Sequence, residues 1–121
     1  MYLVTISQPK NLIHLNFIGH VTADELETGI NDFTALLTQL PAGCRMLADL
    51  ERLELMDLDC AGPIGEVMEL CDRKGVSLIV RLIPDQSKNI GLNILTLFHY
   101  HHRPSVVTCE TMAEAARALG L

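Results

Sequence analysis

One stretch constrains this chain more than any other: Arg45-Met-Leu-Ala-Asp-Leu-Glu-Arg-Leu-Glu-Leu-Met-Asp-Leu-Asp-Cys-Ala-Gly62. Met46, Leu47, Ala48 and Leu50 make a short apolar run of the kind shown by a strand buried on both faces, and Leu53, Leu55 and Met56 carry it onward. Such strands belong to sheets with helices packed on them. Asp57 and Asp59 stand where the strand gives out. Pro63, whose missing N–H is tolerated in a first helical turn, then sets a helix start at about Gly62. A carboxylate just ahead of that start is favoured by the helix dipole by roughly 0.3–1 kcal/mol, so Asp59 is expected to cap the helix.

The rest of the chain alternates in the same way. Tyr2–Ile6 and Leu12–Ile18 are β-rich runs joined by Ser7-Gln-Pro-Lys-Asn11, which predicts an antiparallel hairpin. Thr22-Ala-Asp-Glu25 is a capping box, and Leu26, Ile30, Phe33, Leu37 and Leu40 follow at helical spacing until Pro41-Ala-Gly43. The second helix points Ile64, Val67, Met68 and Cys71 at the core, puts Glu66, Glu69, Asp72, Arg73 and Lys74 on its other side, and stops at Gly75. Val76–Ile83 is a strand closed by Pro84. Asp85 to His99 reads as a helix, Ser105–Cys109 as a short strand, and Thr111-Met-Ala-Glu114 as a second capping box opening a last helix to Leu119. Strands alternating with helices require crossovers and a mainly parallel sheet. The expectation is a single α/β domain over 1–121, with an N-terminal antiparallel hairpin and about four helices; 121 residues can bury roughly two thirds of their unfolded surface.

This order resembles that of STAS domains, the module of bacterial anti-sigma factor antagonists and of the cytoplasmic tails of sulfate transporters. In those proteins a strand ending near an Asp-Leu pair is followed, eight residues after its Asp, by Asp-Ser-(Ser/Thr)-Gly opening a helix. Asp49-Leu50 and Asp57 reproduce that spacing. With Asp57 on the family's Asp, Leu58 falls where the family carries its phosphorylated Ser, Asp59 on the next Ser/Thr and Cys60 on the Gly. A slide of two residues matches Asp59 and Gly62 instead, with Cys60 in place of the Ser. The first register needs no insertion and is preferred. Neither leaves a hydroxyl to phosphorylate.

Composition closes off other classes. A net charge of −6, with only nine Lys and Arg, does not suit a nucleic-acid partner. No apolar run reaches 18 residues, so no membrane span is expected, and the first residues lack a secretory pattern, which makes the cytoplasm the default compartment. Cys44, Cys60, Cys71 and Cys109 are scattered, as reduced, buried thiols are. His99, His101 and His102, with Cys109 nearby in sequence, carry enough donors to suggest zinc. Adjacent residues at a helix end do not converge tetrahedrally, however, and imidazoles there suit the helix dipole, so no metal or cofactor is expected.

The resemblance implies a non-enzymatic regulatory domain acting through Asp57, Leu58, Asp59, Cys60 and Gly62, and no nucleophile elbow, phosphate-binding Gly loop or metal motif is present to point to an enzyme instead. The resemblance implies a protein partner of the anti-sigma factor or kinase-like class. In the helix over 85–99, Ile90, Ile94, Leu97 and Phe98 form one stripe while Leu92 and Leu95 lie opposite, an arrangement that either the domain's own loops cover or a homodimer or partner contact does. The alternative is a small-molecule or lipid sensor with its pocket behind that helix, which requires several hundred Å³ of space.

Overall fold

The computed structural model describes residues 1–85, 96, 99–102 and 104–121. Strands β1 (Tyr2–Ser7) and β2 (Leu12–Phe17) form the expected antiparallel hairpin, with Tyr2 opposite Phe17 and Ser7 opposite Leu12. Asn11 closes the turn in the left-handed region at φ 53°, where Asn is among the better tolerated side chains, and its amide donates to the Gln8 carbonyl at 3.1 Å. Strands Arg45–Asp49 (called β4 below), Leu78–Leu82 (β6) and Ser105–Cys109 (β7) extend the sheet in parallel, in the order β1-β2-β4-β6-β7.

Period-two alternation then sorts the side chains. Ile13, Leu15, Phe17, Met46, Ala48 and Ile79 join a core shared with helices α1 (Ala23–Thr38) and α2 (Ala61–Lys74). Leu12, Leu47, Val80, Leu82 and Cys109 fall on the other face against α3 (Met112–Ala118) through Ala115 and Leu119. Met46, Leu47 and Ala48 are therefore all buried, which is why the central strand reads as a continuous apolar run.

That run is not one strand. After Asp49 the chain turns, the Asp49 Oδ1 accepting from the Glu51 amide at 3.0 Å and the Leu50 carbonyl from the Leu53 amide at 3.2 Å. Leu53–Met56 (β5) leaves the main sheet and pairs in parallel with Gly19–Val21 (β3), a two-stranded sheet reached from β2 because Gly19 adopts φ 66°.

The helix ends follow their signals. Thr22 and Glu25 make both arms of the capping box, and Gly75 ends α2 in the left-handed conformation at φ 83°, its amide shared by the Cys71 and Asp72 carbonyls. Thr111 accepts from the Glu114 amide, but the Glu114 carboxylate takes the Glu110 amide at 3.2 Å in place of the Thr111 one. Asp72 departs from its expected place on the solvent side of α2. It is 5% exposed and holds the segment after the 85–99 stretch, accepting from the His102 amide at 2.8 Å and pairing with the His102 ring at 2.9 Å. Most of the expected 85–99 helix, including Leu92 and Leu95, lies outside the described residues; Thr96 and His99 are helical. Among the described residues no helix is long and apolar enough to cross a membrane.

Candidate functional site

The stretch that follows β5 forms a protruding acidic loop. Asp57 is extended (φ −63°, ψ 147°) and leads into a single turn of 3-10 helix, Leu58–Cys60, that runs straight into α2. Three contacts tie this turn to β3. The Asp57 amide donates to the Val21 carbonyl at 3.3 Å, the Cys60 thiol donates to the same carbonyl at 3.5 Å, and the Asp57 carboxylate meets His20 Nε2 at 2.7 Å. Within the turn the Cys60 amide returns to the Asp57 carbonyl at 3.0 Å. The small sheet β3–β5 is thus the platform on which the loop stands.

Leu58, the first residue of the turn, is 96% exposed, and Leu55 on β5 is 56% exposed. Asp59 and Gly62 are exposed with them, whereas Cys60 is only 1% exposed. Burial raises the Cys60 pKa, and the charges of Asp59, Asp57 and Glu25 raise it further, so the thiol is a neutral donor to β3. Asp59 does not cap α2: neither the 3-10 turn nor α2 has a side-chain cap bond, and Cys60, the residue before α2, already has helical angles (φ −66°, ψ −18°). His20 is the site residue that sequence reasoning misses, since it lies 37 positions from Asp57 and on a strand too short to show a period.

The histidine cluster divides. His99 lies over α2, where a side chain on Gly65 would meet its ring at 2.5 Å, and its Nδ1 is 3.6 Å from Glu69. His102 goes to Asp72, and Cys109 lies on the opposite face of the sheet against α3. Among the described residues no group of three His, Cys, Asp or Glu side chains converges as a metal site would require. All four cysteines are buried and unpaired, and burial pushes the Cys71 thiol up to about 12.

Beneath Tyr100 and Arg81, which donates to the Thr96 hydroxyl, is an apolar cavity of about 40 Å³ bordered by Phe17, Leu26, Met46 and Ile64. A ligand pocket needs roughly 300–1,000 Å³.

Solved structures share this arrangement. The anti-sigma factor antagonist SpoIIAA in its unphosphorylated form matches with a TM-score of 0.66 over 100% of both chains, at 15% identity. The fold is that of a STAS-like domain. SpoIIAA from Bacillus in its phosphorylated form gives 0.66 at 13% identity, over 98% of this STAS-like chain and 99% of that one. An uncharacterized DUF3478-family protein with a SpoIIAA-like fold from Shewanella loihica gives 0.71 at 14% identity, over 98% and 92%. No protein-family model and no curated protein matches the chain.

Proposed function

We propose that the chain, residues 1–121, works as a non-enzymatic regulatory domain that docks its 57–62 loop onto a protein partner, in the manner of an anti-sigma factor antagonist but without a phosphoserine switch. The observation that carries this is the fully presented Leu58 side chain, at the position where the family motif places its serine and flanked by Asp57 and Asp59. A leucine held in water at the tip of a braced turn is available to a partner, and burying it there would be worth about 1.5–3 kcal/mol. Residues 57–62 include no Ser, Thr or Tyr, so serine phosphorylation on this loop has no site from which to reverse docking; the Asp59 carboxylate, with less charge and fewer oxygens than a phosphate, is a fixed and incomplete mimic.

Incubation with ATP and a serine kinase of the anti-sigma type is expected to leave residues 57–62 unmodified by intact-mass and peptide analysis. Phosphate on Ser77, Ser87 or Ser105 would move the switch elsewhere and overturn the unswitched reading.

A further inference from the structure

β1 offers a strand edge that no other strand among the described residues pairs with. β1 is an outermost strand, with β2 as its only neighbour among the described residues. Met1 and Ile18 exchange both of their backbone hydrogen bonds, the Met1 amino group donating at 2.6 Å and its carbonyl accepting at 2.8 Å. In an antiparallel pair such positions alternate, so Leu3, Thr5 and Ser7 bond to β2 while the N–H and C=O groups of Tyr2, Val4 and Ile6 point outward. The strand Tyr-Leu-Val-Thr-Ile-Ser has no Pro and no charge, the devices that normally blunt an edge.

Alongside this edge runs a groove of about 400 Å³ between β1 and α1, lined by Tyr2, Leu3, Val4, Gly29, Asp32 and Leu36. Gly29 forms its floor: a Cβ there would meet the Tyr2 ring at 3.0 Å. A second opening continues it past Asp24 and Glu25, where the Met1 amino group lies 3.6 Å from the Glu25 carboxylate and leaves Asp24 and Asp32 as its acidic lining. Helix α1 carries Asp24, Glu25, Glu27 and Asp32 and no Lys or Arg. Two copies paired edge to edge would set these acidic helices side by side on one face, so a second copy is the wrong occupant. We propose that the β1 edge and the α1 groove take an extended basic segment of another protein, added to the sheet as a sixth strand, with alternate Lys or Arg side chains lying over Asp32 and Asp24.

The test uses the ¹⁵N-labelled full chain and short capped peptides in which Lys alternates with Val, their Glu counterparts, and the Lys peptide N-methylated along its pairing edge. The Lys peptides are expected to shift Gly29 and Asp32 resonances and to slow amide exchange at Val4 and Ile6 about tenfold or more. N-methylation should abolish both effects, and Asp32→Lys should weaken binding about tenfold. Leu58→Glu should leave peptide binding unchanged, which separates this surface from the loop. Equal binding of Lys and Glu peptides, retention of the N-methylated peptide, or no effect at β1 would overturn the proposal. So would protection of Val4 and Ile6 that appears without peptide and fades on dilution, which would make the occupant a second copy.

Discussion

Leu58 and Asp59 are adjacent and both exposed, yet they do different things. Leu58 supplies apolar surface; Asp59 supplies charge without structural duty, because the 3-10 turn delivers the chain to α2 already helical and leaves no extended capping residue. Asp59→Asn should therefore change the thermal stability by no more than about 0.5 kcal/mol. It should weaken the partner complex by several-fold, read by calorimetry, through loss of the carboxylate. Asp57 is different, since its carboxylate is engaged by His20 and its backbone closes the turn onto Val21. Unchanged affinity in Asp59→Asn would show that its charge takes no part in the contact.

At the scale of elements, α2 joins the loop at its start to the 100–102 segment through Asp72. Burial by itself would raise the pKa of this carboxyl, but the His102 amide and ring, with the positive charge of His102 and His101, bring it below the usual 3.8. A carboxyl depressed in the folded state stabilises the fold above its unfolded pKa, and the contribution disappears as pH falls through the folded value. Asp72→Asn should accordingly cost about 1–3 kcal/mol at neutral pH, chiefly from a poorer partner for His102. Its stability should then fall less steeply than the wild type's below about pH 4, measured by urea unfolding across pH. A parallel acid limb in both proteins would show that Asp72 does not sense pH. The Asp72–His102 tie was not legible in the helical spacing, which counts Asp72 among the charged residues of the solvent face and says nothing about a chain segment returning over it.

For the molecule as a whole, the large features could be read from residue order because each rests on local chemistry. The hairpin follows from alternation and Asn11, the helix starts from Thr22 and Thr111, the stop from Gly75, and the sheet from apolar runs that both faces bury. Hidden from that reading were features made by distant pairs. The β3–β5 sheet uses a three-residue strand with no measurable period, and it turned an apparent long central strand into two. His20, isolated in sequence, proved to brace the loop. Leu58 was legible as a residue in the serine's place, while its near-complete exposure needed the turn that lifts it out. The proposed function stands on Leu58 as the anchor for a partner. The most direct measurement takes the wild-type chain and Leu58→Glu, matched in thermal midpoint, as baits in a lysate of the source cells, purifies the protein retained by the wild type, and determines its Kd for both. At least a roughly tenfold weaker complex is expected for Leu58→Glu, consistent with losing one buried leucine. A retained partner that binds both chains equally, or a wild-type bait that retains only the proteins Leu58→Glu also retains, would contradict that role for Leu58.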